Sequence, residues 1–154
     1  MSRQRGITLT ELVVTIAIVA VLAVLLVPNL GSWIRHYRIK AAVREIVSNM
    51  ELAKIRALKN NLEYRVVFEA ATRTFYLERG NRSSSSWKWT RVSRRISLPQ
   101  KIRMNVTFPT SSVQFNPHGT AGPGGSVDLT IPDGEKYHIA LTTATGKIIA
   151  QRVK

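Results

Sequence analysis

The sequence predicts an α+β protein, one long N-terminal helix packed on an antiparallel β-sheet head. Three observations predict it. Ile7 to Val27 is an apolar run broken by a single charge, Glu11. Ile39, Val43, Ile46, Met50, Ala53 and Ala57 then recur at three- and four-residue spacing, with no glycine or proline between Ser32 and Asn61. Beyond Leu62 the apolar period becomes two, as half-buried strands require.

The apolar run comes first. Ile7–Val27 would span roughly 32 Å as a helix, which matches the hydrocarbon core of a bilayer. A cleavable secretory signal has a shorter apolar region and a small-x-small cleavage site, and neither is present here. Pro28 does not settle where the helix ends, because a proline in a membrane helix can simply kink it. The positive-inside count leaves orientation ambiguous: Arg3 and Arg5 precede the run, whereas Arg35, Arg38, Lys40 and Arg44 follow it. Glu11 costs about 2.5–3.5 kcal/mol at a bilayer centre and less near the interface. A cut after Gly6 would place the new amine of Ile7 one turn from Glu11, at i and i+4 on one helix face. The alternative is a glutamate favoured by the macrodipole at a helix start.

The amphipathic second half follows, with Arg44, Glu45, Glu51 and Lys54 between the apolar positions and Asn60-Asn61 as the stop. "EYRVVFEA" and "RTFYLER" then predict a hairpin around Ala71-Thr72. "KWTRV", "IRMNVTF" and "SVQF" are shorter strands. "SVDLTI", "YHIALTT" and "KIIAQRV" are separated by the turns Pro132-Asp133-Gly134 and Ala144-Thr145-Gly146. The expected organisation is a leader at 1–6, a hydrophobic helix at 7–30, its amphipathic continuation at 31–61 and a β-rich head at 62–154.

Composition bounds the function. The chain has 154 residues, of which roughly 120 remain for a soluble part, enough for a modest core. There is no cysteine, which excludes disulfides and thiolate metal sites. Lys and Arg number 23 against 9 Asp and Glu, a net charge of +14 that draws the chain toward polyanions: nucleic acid, anionic lipid or acidic polysaccharide. No catalytic arrangement stands out. His36, His118 and His138 are scattered and read as loop or surface residues. Gly122–Gly125, "GPGG", lacks the Lys-Ser/Thr of a phosphate loop. We expect no enzyme activity, no cofactor and no metal.

The charge concentrates in one region. Arg79, Arg82, Lys88, Arg91, Arg94, Arg95, Lys101 and Arg103 follow one another, and no acid occurs between Glu78 and Asp128. Ser83–Ser86 reads as a mobile loop, with Trp87 and Trp89 sharing one face of the strand that follows. Two readings stay open: cations contacting phosphates beside an indole stacked on an unpaired base, or tryptophans facing the core beneath solvated cations. Lys147, Arg152 and Lys154 form a second basic patch at the C-terminus.

Arg5-Gly6-Ile7-Thr8-Leu9-Thr10-Glu11-Leu12 resembles the processing site of type IV prepilins and type II secretion pseudopilins: a short basic leader ending in glycine, then glutamate at the fifth processed position. Pro28 falls where pilins commonly place a proline. Ile7 stands where phenylalanine is usual and Thr10 where an aliphatic is common. "VQFNPHGTA" (Val113–Ala121) and "TTATGKI" (Thr142–Ile148) resemble the two signature turns of the GspH/FimT branch of pilin-like proteins. The resemblance implies a pilin-like fold, cleavage after Gly6 by prepilin peptidase, N-methylation of Ile7, and pairing of Glu11 with an Ile7 amine during assembly. It also implies an inner-membrane subunit with its C-terminal head outside the cytoplasm, which then enters a pilus or pseudopilus with other pilin-like subunits. FimT-type minor pilins are implicated in DNA binding during natural transformation through basic residues after the last glycine turn. Here Lys147 follows Gly146, but Ile148-Ile149 interrupt the arginine pattern.

The leading expectation is a minor pilin of a type IV pilus whose basic head binds DNA for uptake. The first alternative is an H-type pseudopilin of a type II secretion system. The second is a membrane-tethered nucleic-acid-binding protein that never polymerises.

Overall fold

A computed structural model describes residues 8–132 and 134–153, the side chains of residues 25–30 and 32 excepted. It divides into two units, Met1–Tyr37 and Arg38–Lys154. The helix α1 (Leu9–Asn60) begins in the first unit and ends in the second.

Thr8 caps α1. Its hydroxyl accepts the Glu11 N–H at 3.3 Å and its carbonyl accepts the Leu12 N–H at 3.1 Å. Thr8 and Glu11 therefore hold the spacing of a capping box, with the carboxylate in the positive first turn of the helix. The Thr15 hydroxyl donates back to the carbonyls of Glu11 and Leu12. Leu12, Val13, Ile16 and Val19 are all more than half exposed. Among the described residues, no helix is long and apolar enough to cross a membrane. The expected span Ile7–Val27 starts at a residue, and ends among side chains, outside those described, and the expected processing residues Gly6 and Ile7 lie outside them too. At its other end α1 stops where asparagine can take the left-handed conformation: Asn61 has φ 53°, and Asn60 Nδ2 donates to the Tyr64 hydroxyl at 2.6 Å.

In the second unit the expected helical stripe is buried. Ile39, Val43, Ile46, Met50, Ala53 and Ala57, joined by Ala42, enter one core with residues of both sheets. The β-strands are β1 (Tyr64–Glu69), β2 (Thr74–Gly80), β3 (Trp89–Arg91), β4 (Ile96–Ser97), β5 (Arg103–Val106), β6 (Ser112–Phe115), β7 (Gly125–Thr130), β8 (Lys136–Thr142) and β9 (Lys147–Val153), with a 3-10 turn at Pro109–Ser111. The expected hairpin forms in the register Val67 opposite Tyr76.

The head is not one sheet but two. A five-stranded antiparallel sheet has the order β3-β2-β1-β6, with β4 also on β2, and a four-stranded antiparallel sheet has the order β5-β7-β8-β9. Val66, Phe68, Phe75, Leu77, Val113 and Phe115 line the inner face of the first; Met104, Val127, Leu129, Ile139 and Leu141 line that of the second. Phe108 joins them, stacked on Phe68 at 6.2 Å between centroids. The strand β9 is an edge, exposed along most of its length and hydrogen-bonded to β8.

Candidate functional site

Three arrangements bring together residues that stand far apart in the chain. The first joins the two glycine-bearing turns. The Ala121 N–H donates to the Thr143 carbonyl at 3.0 Å, and Phe115 bridges to Ala121. Gly146 has φ 57°, and a Cβ there would lie 2.4 Å from the Gly119 carbonyl oxygen. No side chain fits at that approach. Lys54 on α1 closes the arrangement: its ammonium donates to the carbonyls of Thr145 and Gly146, each at 3.1 Å. The two turns are thus one structural joint, seated on the helix.

The second arrangement surrounds Glu63, which is buried although charged. Its carboxylate accepts the N–H groups of Ser85 at 3.1 Å and Ser86 at 2.7 Å, and the Gln114 amide at 2.8 Å. Its backbone adds two more bonds, N–H to the Arg82 carbonyl at 2.9 Å and carbonyl from the Gly80 N–H at 2.7 Å. The Ser86 hydroxyl bonds both the N–H and the carbonyl of Arg82 at 3.1 Å. Ser85 and Ser86 are therefore tied down, which corrects the expectation of a mobile loop for the second half of Ser83–Ser86. A buried carboxylate with three donors is a strong tether because each bond is charge-assisted.

The third arrangement is the outer face of the five-stranded sheet. Trp89 and Arg91 on β3, Tyr76 and Glu78 on β2, Arg65 on β1 and Gln114 on β6 share it by register. The Arg65 guanidinium lies 4.1 Å from the Trp89 ring centroid; those of Arg95 and Arg91 lie 5.4 and 5.8 Å from that of Tyr76. The tryptophans do not face the core, contrary to one of the two readings. Trp87 is 69% exposed ahead of β3, and Trp89 is half-covered, with Arg65 on it. The acids of this face are internally matched, Glu78 to Arg65 at 2.7 Å and Glu69 to Arg95 at 2.9 Å. The Thr72 hydroxyl beside Glu69, outweighing partial burial, together with Arg95 holds its carboxyl below the ordinary value.

The expected basic residues divide between the sheets. Arg79 and Arg91 lie on strands of the first and Arg82, Lys88, Arg94 and Arg95 in the loops that flank β3, all exposed, whereas Arg103, Lys147 and Arg152 lie on strands of the second. Lys101 precedes β5, and Lys154 lies outside the described residues. Arg152 is bound to Glu135 at 3.1 Å. On the four-stranded sheet Asp128 pairs across strands with His138, at 2.6 Å, and with Lys136, at 3.2 Å. His138 is therefore a half-buried strand residue rather than a loop one, and His36 lies within α1. Among the described residues, no group of three or more His, Cys, Asp or Glu could hold a metal ion. Sequence reasoning missed Lys54, Glu63, Arg65 and Tyr76, whose partners lie far along the chain or on a neighbouring strand.

A helix leading into a two-sheet antiparallel head, with its closing turns joined on that helix, defines a pilin-like subunit. The family model described as type II transport protein GspH matches residues 42–146, and that of the prokaryotic N-terminal methylation motif matches residues 1–27. The chain belongs to the GspH family, on the pilin-like branch that the two turns resemble. Two solved structures of the minor pseudopilin EpsH from the type II secretion system of Vibrio cholerae share the fold. One has a TM-score of 0.60 at 11% identity, covering 75% of this chain and 97% of that one. The other has a TM-score of 0.55 at 10% identity, covering 74% and 94%. No curated protein sequence matches the chain.

Proposed function

We propose that this chain is a minor subunit of a pilin-like fibre, cut after Gly6 by prepilin peptidase and methylated on Ile7. Residues 7–27 hold it in the inner membrane, head outside the cytoplasm, until it enters the fibre. The role is assembly, not catalysis. The observation that carries this reading is the pairing of a methylation motif over 1–27 with a GspH match over 42–146. The exposed apolar residues of α1 agree with it, because a helix apolar on every side is stable only against lipid or other helices. The same family match supports a pseudopilus of type II secretion as the fibre. Intact mass of the chain extracted from membranes tests processing. Loss of residues 1–6 with gain of one methyl group is expected; an uncut Met1 terminus overturns the proposal and leaves the non-polymerising tether.

A second reading, a type IV minor pilin whose head captures DNA, is supported by a specific observation. The outer face of the five-stranded sheet carries Arg91, with exposed Arg82, Lys88 and Arg94 in the flanking loops, while its acids Glu69 and Glu78 are each already paired with an arginine. Salt-dependent DNA binding by the full chain is expected, and its absence at low salt removes this reading without touching the assembly role.

A further inference from the structure

The outer face of the five-stranded sheet has a composition that phosphate attraction alone does not require. Charge needs only lysines and arginines on a surface. Here aromatic rings alternate with guanidinium groups across β1, β2 and β3, and Trp87 stands in solvent beside them in the chain. Resting on the DNA-capture reading, we propose that this face binds single-stranded nucleic acid, with Trp87 stacking on an unpaired base.

The geometry supports each part. Trp87 is 69% exposed, an unusual position for the largest apolar side chain. It is not on a loose segment: the Ser85 and Ser86 amides immediately before it are fixed by Glu63, and the Lys88 N–H after it donates to Asn81 Oδ1 at 3.2 Å. An indole on an anchored backbone leaves only its side-chain torsions to be ordered when a flat partner lands on it. Arg91 over Tyr76 is a planar cation pre-oriented on a ring and able to meet a base or a phosphate, while Arg65 over Trp89 and Arg95 over Tyr76 are held by Glu78 and Glu69. Arg82, Lys88 and Arg94, exposed in the loops that flank β3, have no acid partner among the described residues and can follow a phosphate backbone.

The strandedness follows from what the rings could touch. A duplex offers phosphates to a flat sheet but keeps its base faces inside the stack, so Trp87 would contribute nothing. Unpaired bases use the cations and the indole together, because every base has a face to stack. Acidic polysaccharide is the competing occupant, and heparin tests it.

The test uses the full-length chain in a zwitterionic detergent and fluorescence anisotropy. The probes are a mixed-sequence single strand of about 20 nucleotides, the corresponding duplex, and heparin. The single strand is expected to bind more tightly than the duplex, quenching tryptophan emission. Trp87→Ala should weaken single-strand binding on the order of tenfold and leave duplex binding unchanged. Trp87→Phe should recover part of the loss, and Arg94→Ala should weaken both and flatten the salt dependence. Because Trp87 is exposed, an unchanged thermal melt of the alanine variant separates lost stacking from lost fold. Equal binding of single strand and duplex, with Trp87→Ala silent, overturns the stacking proposal while leaving the DNA-capture reading intact. Heparin binding without oligonucleotide binding, or no binding at low salt, overturns both.

Discussion

The Lys54 ammonium and the Gly146 carbonyl are 3.1 Å apart although 92 positions separate them in the chain. With Gly119 beside Gly146, this contact fastens the closing turn of the four-stranded sheet, and the turn after β6, to α1. Gly146→Ala should lower unfolding stability by about 2–4 kcal/mol, combining left-handed strain with a steric conflict against a backbone oxygen. Lys54→Met keeps the stem and loses two hydrogen bonds, at about 1–2 kcal/mol. Urea unfolding of the two variants measures both, and an unperturbed Gly146→Ala midpoint would show that the joint yields.

Glu63 gives a second prediction. Glu63→Gln places an amide where three donors converge, so at least one N–H loses its acceptor; a cost of about 2 kcal/mol is expected. Hydrogen exchange is the direct readout. The Ser85 and Ser86 amides should exchange much faster in the variant, and unchanged protection would mean that other contacts hold the segment.

Acid sensitivity should trace in part to Asp128. Burial alone would raise its pKa, but hydrogen bonds from His138 and Lys136 and their charges outweigh that and hold it below 3.8. A carboxyl lowered on folding stabilises fully above its unfolded value, and the contribution is lost as pH falls through the folded value. Asp128→Asn should therefore be less stable than the wild type at neutral pH, by no more than about 1 kcal/mol because Lys136 and His138 stay within reach of solvent. The difference should close below pH 3.8. A difference that persists in strong acid would assign the effect to packing.

Glu11 separates a local role from an assembly role. Its place in the first turn after Thr8 favours the helix start on its own account. Glu11→Gln keeps the capping spacing and removes the charge. We expect Glu11→Ala and Glu11→Gln to be processed and retained in membranes but to enter fibres poorly. Normal incorporation of Glu11→Gln, read by immunoblot of sheared fibres, would leave only the capping role.

Much of the architecture was legible because it is local. Ile39 through Ala57 repeat on one helical face, and every apolar residue named there is buried. Asn60-Asn61 marks the helix stop because few residues besides glycine and asparagine accept the left-handed cap. Strand positions followed from the period of two, but that period says which side chains face inward and not which strand is the neighbour. The division into two sheets was therefore hidden, as was β4, too short at Ile96–Ser97 to show a period. The reading that put Trp87 and Trp89 on the core fails because Arg65 supplies cover for Trp89 from outside and Trp87 stands in solvent. The serines looked loose because the carboxylate holding Ser85 lies 22 positions upstream.

That tether decides how the protein can be handled. A run of four serines invites an epitope tag, a dye or a protease nick, as though it were slack chain. Insertion at Ser85 or Ser86 would have to pull their amides from Glu63 and uncover its charge. The hairpin tip at Ala71 is tied by exposed bonds such as Thr72 to Glu69 rather than by a buried carboxylate, so it is where a label for following this subunit belongs.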